Sequence, residues 1–264
     1  MLGVDADEVI SWSEAAEKML IPYDERLGVI PQDESFTEHE AWDFASTAPD
    51  QYPLFLHFPY FDLYRKQVVK QADLVLAMQL QSSAFTAEQK ARNFAYYEPL
   101  TVRDSSLSAA PQAVLAAEVG QLQLAYDYLG EVALLDLDDL EHNVRDGVHL
   151  AALAGTWTAL VAGFGGLRSH DGSLSFAPRL PEGIVRLAFH LLFRGRRLRV
   201  EVRATEATYR LLDGLPLVVW HYGEEITLSV DEAVTRPIPP ARAGPRPTQP
   251  VGRTPVARGV RRSS

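Results

Sequence analysis

The spacing of apolar residues changes once along the chain, at the glycine-containing stretch 163-GFGGLR-168. Before this stretch, as in 7-DEVISWSEAAEKM-19, apolar residues recur every three or four positions, which is typical of helices. After it, segments such as 197-RLRVEVRAT-205 alternate apolar and polar residues, which is typical of half-buried strands. This single switch predicts a mainly α part over 1–167, followed by a β domain over 168–233.

The α part is predicted to contain helices at about 7–19, 61–81, 86–98, 108–120, 121–134 and 146–162. The segment 61–81 keeps apolar residues at helical spacing over about five turns. Thr86 with Gln89 three residues later has the spacing of a capping box. The segment 108–120 starts at a serine, carries an early proline and ends at a glycine, as helices often do.

The β part is predicted to form a small antiparallel β-sandwich. Its strands are expected within 184–193, 197–205, 206–214, 215–223 and 225–230. The dipeptides Arg194-Gly195 and Asp213-Gly214 lie between strands, where tight turns favour glycine.

Composition excludes several classes of site. The chain has no cysteine, which rules out disulfides, thiolate metal sites and a cysteine nucleophile. No apolar run reaches the roughly 18 residues of a membrane span, and no charged-then-apolar leader opens the chain. A cytoplasmic protein without a membrane partner is therefore expected.

Charge is divided unevenly. Residues 236–264 hold seven arginines and no acidic residue, so the net charge of −10 leaves about −17 on residues 1–235. So acidic a body argues against a nucleic-acid partner for the folded part. The segment from 234 to 264 is rich in proline and glycine and lacks apolar periodicity, so it is predicted to be disordered.

The run 104-DSSLS-108 directly precedes an apolar helical segment and allows two interpretations. Serine and aspartate are common helix caps. Hydroxyls beside the free N–H groups of a helix start can also bind an anion. The residues alone leave both open, with capping as the default. Asp104 would repel an anion, so its carboxylate is expected to point elsewhere and order the loop.

Several blocks, taken in order, resemble the C-terminal part of glycoside hydrolase family 65. They are 66-KQVVKQADLVLAMQL-80, 93-NFAYYEPLTVRDSSLS-108, 118-EVGQLQLAYDYL-129, 135-LDLDDLEHNVRDGVHLAALAGTW-157, 163-GFGGLR-168 and 176-FAPRLPEGIVRLAFHLLFRGRRLRV-200. The resemblance covers roughly residues 1–230. It implies part of an (α/α)6 barrel followed by the family's C-terminal β domain.

The family contains inverting phosphorylases that act on maltose, trehalose, kojibiose and nigerose, and some trehalose hydrolases. The resemblance implies that phosphate attacks the anomeric carbon of an α-glucoside and releases β-glucose 1-phosphate, while a glutamic acid protonates the leaving oxygen, as in other inverting enzymes. That glutamate belongs to a family segment with no counterpart here, so no catalytic residue is expected in this chain. Inorganic phosphate is the co-substrate, and no cofactor is implied.

The resemblance also implies a phosphate site formed by Ser105, Ser106, His149 and the backbone near Gly155. An imidazole can donate an N–H to an anion, although a buried, hydrogen-bonded histidine is the common alternative.

Lys70 and Gln71 are implied to contact the glucose next to the scissile bond. Both are expected in the middle of a helix, where a lysine could instead extend its ammonium group along the helix into solvent.

Other clusters have ordinary explanations. Asp136, Asp138 and Asp139 are expected to shape a loop and cap helices rather than pair for catalysis. A metal site at His142, Asp146 and His149 is not expected.

The partners implied are a disaccharide and phosphate, and also the family's N-terminal half or a second copy of the chain. A trehalose-type hydrolase fragment and a non-catalytic remnant or carbohydrate-binding protein stay open as alternatives.

Overall fold

Helices precede sheets in the computed structural model, which describes residues 3, 5–140, 142 and 144–258. The helices are α1 (Ala6–Glu17), α2 (Tyr60–Leu63), α3 (Asp73–Leu80), α4 (Ala87–Tyr97), α5 (Ala109–Glu118), α6 (Leu122–Ala133) and α7 (Leu150–Thr158). A π-helical segment, Ala159–Phe164, continues α7. Within the described ranges, no helix is both long and apolar enough to cross a bilayer.

The β domain contains two four-stranded sheets. Its strands are β3 (Leu167–His170), β4 (Ser173–Phe176), β5 (Arg186–Phe193), β6 (Arg196–Arg203), β7 (Glu206–Asp213), β8 (Leu217–His221), β9 (Glu224–Leu228) and β10 (Ala233–Pro237). The sheet orders are β10-β7-β6-β5 and β3-β4-β8-β9. One shared core includes Val200 and Tyr209 from the first sheet and Val219 from the second. The predicted fold class, mainly α followed by a β-sandwich, is confirmed, although β4 and β8 pair in parallel.

Helix α5 lies at the centre of the α part. Residues Ala109 and Pro111–Ala117 are all buried, and α3, α6 and α7 pack around them. Two glycines allow the closest approach. A Cβ on Gly155 would lie 2.7 Å from Ala110 Cβ, and one on Gly163 would lie 3.3 Å from Val114 Cα. The earlier glycine meets the earlier residue of α5, and the later glycine meets the later one. Helix α7 with its π-helical extension therefore runs parallel to α5.

The predicted helix over 61–81 is wrong as a single element. Helix α2 ends at Leu63, and Lys66–Gln67 forms β2, which pairs in parallel with β1 (Glu40–Ala41). Val69 then donates its N–H to Leu100 O (2.8 Å) and accepts from Val102 N (2.9 Å). These non-local bonds take the backbone groups that a continuous helix would use, so the helix resumes only at Asp73.

The expected disorder from 234 onward differs from the structure. Strand β10 pairs with β7, and residues 238–258, here called the C-terminal strap, lie against the α part. Arg246 Nη2 is 3.2 Å from Asp127 Oδ2, and Gln249 Nε2 donates to Glu98 Oε1 (3.0 Å). Buried carboxylates need such partners, which composition alone does not reveal. The rest of the predicted tail, 259–264, lies outside the described residues.

A partly buried ionic network joins the α part to the β domain at the end of α5. Glu118 accepts from Lys90 Nζ (2.6 Å) and from Arg168 Nη2 (2.5 Å). Arg179 donates to the carbonyls of Ala117 (3.2 Å) and Glu118 (2.5 Å), which satisfies the free carbonyls of the helix end. Burial raises the pKa of the Glu118 carboxyl, but Arg168 and Lys90 outweigh it and hold this pKa below its ordinary value.

Replacement of Glu118 by glutamine should lower the free energy of unfolding by about 1.5–3 kcal/mol near pH 7, because Lys90 and Arg168 lose hydrogen bonds to a partly buried counter-charge. The stabilisation from ionised Glu118 is fully present above the ordinary carboxyl pKa of 4.5 and is lost as pH falls through the lower folded-state pKa. The difference between wild type and variant, measured by urea unfolding, should therefore shrink below about pH 4.5.

The exposed ion pair between Glu224 and Arg236 provides a control. Its Glu224→Gln variant should change the free energy of unfolding by less than about 1 kcal/mol. Equal losses in the two variants would contradict a special role for the network at Glu118.

Candidate functional site

A parallel bridge between Val69 and Thr101 aligns two loops that are distant in sequence. Just beyond the bridge, Ser105 Oγ donates to Gln71 Oε1 (3.0 Å), and Gln71 Nε2 donates to Asp73 Oδ1 (2.8 Å). One residue predicted to bind phosphate therefore contacts one predicted to bind sugar. Because α3 and α5 begin at these two loops, and Ser82 after α3 approaches Glu118 at the end of α5, the two helices run parallel.

A cavity of about 280 Å³ opens beside this contact. Lys70, Gln71 and Asp104 contribute its polar wall, and Phe55 and Tyr64 contribute aromatic surface. Other lining residues include Gln32, Asp33, Phe36, Leu54, Tyr60, Lys66 and Asp73. Polar groups that can meet hydroxyls, next to aromatic rings that can meet C–H faces, suit a small polyhydroxylated ligand.

Lys70 and Gln71 occupy a bend between β2 and α3, and not the middle of a helix as the sequence predicted. Lys70 Nζ lies 4.2 Å from the centre of the Phe55 ring, a cation–π distance. The ammonium group is exposed at the cavity wall, where it can still reach a ligand.

Asp104 faces away from solvent and orders its loop. Its Oδ2 accepts from Leu54 N (2.6 Å), and its Oδ1 accepts from Arg253 Nη2 (3.1 Å). Burial raises the pKa of the Asp104 carboxyl, while the Leu54 hydrogen bond and the charges of Arg253 and Lys70 oppose that rise. The carboxylate thus has its own partners beside the two serines.

The helix-cap interpretation does not describe Ser105 or Ser106. Helix α5 has Ser108 at its N-cap, and Ser108 makes no side-chain capping bond. Ser105 Oγ accepts from Leu107 N (3.3 Å), before the helix starts. Ser106 is half-buried, and its hydroxyl makes no hydrogen bond to any residue that the structure describes. It can therefore bind a ligand without first losing a protein partner.

His149 forms the N-cap of α7 and is held by Asp136. Asp136 Oδ2 accepts from the His149 backbone N–H (2.9 Å), and Oδ1 lies 2.6 Å from Nδ1. The hydrogen bonds from His149 lower the pKa of the Asp136 carboxyl. Since a carboxylate only accepts, Nδ1 donates in this pair and Nε2 is left as the ring nitrogen that could meet a ligand. Among the described residues, no hydrogen bond or ion pair links His149 to Ser105 or Ser106.

Gly155 lies within α7, beyond the first turn whose N–H groups are free, and it is buried against Ala110. The structure gives it a packing role and no evident route for its N–H to a ligand. The parallel packing nevertheless places the starts of α3, α5 and α7 at one end of the α part, so the Gln71, Ser106 and His149 positions share that end.

Sequence reasoning missed two residues around the serine loop. Arg103 adopts φ +56°, and Arg253 reaches the loop from the strap. No local signal identified either one, because Arg253 belongs to a segment whose composition is typical of disorder. Asp136 was expected only to shape a loop, and its bond to His149 depends on tertiary structure. In the part of the chain that the structure covers, no group of three or more His, Asp or Glu residues could hold a metal ion.

Two sequence models of known families match the chain. The glycosyl hydrolase family 65 central catalytic domain matches residues 1–158, and the C-terminal domain of the same family matches residues 167–228. The first match ends at the last residue of α7 and the second starts at β3, so together they follow the observed change from helices to sheets.

Individual relatives agree with these matches. An uncharacterized glycosyl hydrolase of Mycobacterium leprae is 55% identical over 97% of this chain and 33% of its own length. The α,α-trehalose phosphorylase of Thermoanaerobacter brockii is 41% identical over 88% of this chain and 30% of its own length. A solved structure described as "Putative kojibiose phosphorylase from human microbiome" superposes with a TM-score of 0.80 at 27% identity, over 89% of this chain and 32% of that one. The chain spans about a third of the length of these relatives.

Replacement of Gly155 by alanine tests its packing role. In an open helix this change usually stabilises by roughly 0.5–1 kcal/mol, but here the new methyl would meet Ala110 Cβ. We expect a loss of about 1–3 kcal/mol in the free energy of unfolding, as for other overpacked sites. Chemical denaturation measures it.

Gly244 is a suitable control, because a Cβ there meets nothing within 4 Å. Its Gly244→Ala variant should unfold like wild type. A Gly155→Ala protein that is as stable as wild type would refute the close-packing explanation.

Proposed function

The chain belongs to glycosyl hydrolase family 65, and we propose that it forms the phosphate-binding and part of the sugar-binding site of an inverting α-glucoside phosphorylase. One observation carries the proposal: Ser105 of the serine loop is hydrogen-bonded to Gln71 at the wall of the 280 Å³ cavity. A sugar in the cavity and an anion at Ser105 and Ser106 would then be neighbours, as phosphorolysis requires.

In this proposal Lys70 and Gln71 hold the glucose, and Ser105, Ser106 and His149 Nε2 hold phosphate. A phosphate oxygen attacks the anomeric carbon while the bond to the leaving oxygen breaks, and inversion gives β-glucose 1-phosphate. A carboxylic acid protonates the leaving oxygen from a family segment that has no counterpart in residues 1–264. Phosphate is the only co-substrate proposed, and the cytoplasm is the proposed compartment. The proposal does not specify the disaccharide.

Exposed apolar side chains support a site completed by further structure. Trp12 on α1 is 56% exposed, and Leu150 and Trp157 on α7 are 72% and 53% exposed. Large apolar residues exposed along whole helix faces usually mark contacts with other protein. The partner proposed for these faces is the remainder of the family barrel, or else a second copy of the chain.

Hydrolysis is the second candidate, since mycobacterial relatives carry the name glycosyl hydrolase. Water would take the place of phosphate at the same face of the sugar. The two candidates differ in one measurable respect: only phosphorolysis depends on phosphate and yields a sugar phosphate.

A chimera provides the test of function. Residues 1–258 would replace the matching third of the Thermoanaerobacter brockii trehalose phosphorylase, and phosphate-dependent release of β-glucose 1-phosphate would be assayed. A Ser106→Ala change should raise KM for phosphate roughly 10–100-fold, since a hydrogen bond to a charged group contributes about 1.5–3 kcal/mol. The disaccharide KM should change much less.

Ser108→Ala is the matched control, because the Ser108 hydroxyl is buried beyond the reach of a ligand. It should leave both KM values near those of the parent chimera. If Ser106→Ala leaves the phosphate KM unchanged, or if sugar is released without any dependence on phosphate, the phosphorylase proposal fails.

The isolated 264-residue chain should show no measurable phosphorolysis or reverse synthesis with maltose, trehalose or kojibiose. A general acid alone contributes roughly 10²–10⁴-fold to such rates, and none is proposed here. Turnover by the purified chain, measured as phosphate-dependent glucose release, would show that it contains its own acid.

A further inference from the structure

The C-terminal strap connects the two ends of α5. At its beginning, Arg242 O would lie 2.3 Å from a Cβ on Gly120, in the turn just after the helix. Further on, Arg246 pairs with Asp127 and Gln249 reaches Glu98. The strap then turns at Pro250–Arg253, where Arg253 N donates to Pro250 O (2.9 Å), and contacts the loop before α5.

Arg253 holds the residues on both sides of Arg103. Its Nε donates to Val102 O (2.6 Å), and its Nη2 donates to Asp104 Oδ1 (3.1 Å). In return, Arg103 Nη2 donates to the backbone carbonyl of Arg253. The guanidinium of Arg253 also lies 4.9 Å from the centre of the Tyr52 ring. A planar group with several fixed donors is well suited to bridging a carbonyl and a carboxylate in this way.

Arg103 is the corner between those two residues. Its φ of +56° lies in the left-handed region, which residues with a side chain rarely adopt. Such a conformation persists only where several independent contacts with the surrounding structure hold it in place. Here Glu131 accepts from Arg103 Nε (2.9 Å), and Arg253 holds the flanking groups. The corner sends the Asp104 carboxylate to Leu54 N, and the next residue, Ser105, then meets Gln71, which lines the cavity.

We propose that Arg253 is a positioning residue for the Ser105–Ser106 loop, fixing from the strap the left-handed corner at Arg103 that sets where the two hydroxyls meet phosphate. The inference rests on the proposed function in one respect, the identity of the anion. The structural claim, that the strap orders this loop, stands on the contacts of Arg253 alone. It assigns a role at the site to a residue that lies 150 positions after Arg103 in the chain.

The test uses the full 264-residue chain with the variants Arg253→Met and Arg253→Lys. Arg246→Met is the matched control, because it removes a strap arginine that pairs with Asp127, away from the loop. Two quantities are measured: the affinity for inorganic phosphate by calorimetric titration, and amide hydrogen exchange of residues 103–108 by NMR. Exchange reports loop order without any need for activity.

We expect Arg253→Met to weaken phosphate binding by about tenfold, as loss of an outer partner that orients a ligand group does at metal sites. It should also speed exchange at residues 103–108. Arg253→Lys should recover part of both, since lysine can pair with Asp104 but has no second fixed donor for Val102 O. Arg246→Met should leave both quantities near wild type.

The outcomes separate the two claims. If the amides of residues 103–108 exchange as slowly in Arg253→Met as in wild type, the positioning role is overturned. Equal acceleration in Arg253→Met and Arg246→Met also overturns it, because the strap would then act only as a general anchor. Should the wild-type chain bind no phosphate, the phosphate assignment of the proposed function fails while the exchange data still decide the role of Arg253. If Arg253→Met does not fold, Arg253→Lys decides by the same comparison with Arg246→Met.

Discussion

The burial of α5 on nearly every side is the constraint on which the rest of the structure depends. A helix so enclosed can have only small or well-packed residues along it, and its end groups cannot all be left to water. At one end, Arg179 donates to a free carbonyl of the helix, and the Glu118 network joins the helix to the β domain. At the other end, the loop 101–108 leads into it. The domain junction therefore lies at one end of α5, and the candidate site lies at the other.

Local sequence signals predicted what local physics determines. The capping box of Thr86 and Gln89 forms as its spacing indicated, and the strand alternation after residue 184 corresponds to real strands. Where prediction failed, contacts between residues far apart in the sequence determined the structure. The Val69 bonds to Leu100 and Val102 interrupt the expected helix over 61–81, and the carboxylates of Asp127, Glu98 and Asp104 fix a segment whose composition indicated disorder.

The candidate site depends on the same kind of non-local contact. The family resemblance pointed to Gln71, Ser105 and His149, but the residues themselves left helix capping and simple burial as the default interpretations. Their neighbours are tertiary contacts: Gln71 accepts from Ser105, and Asp136 orients the His149 ring. Gly155 has a packing role, because Ala110 lies directly against it. No periodicity or spacing in one sequence contains that information, because it resides in which loops lie side by side.

The parallel course of α3, α5 and α7 has an electrostatic consequence. Each helix carries a macrodipole equivalent to about half a positive charge at its N-terminus, and three such ends open on the same side of the α part. A protein with a net charge of −10 would ordinarily repel a dianion. On this side, the fixed backbone dipoles contribute positive potential without any basic residue, and the carboxylates of Asp73 and Asp136 at the starts of α3 and α7 oppose part of it.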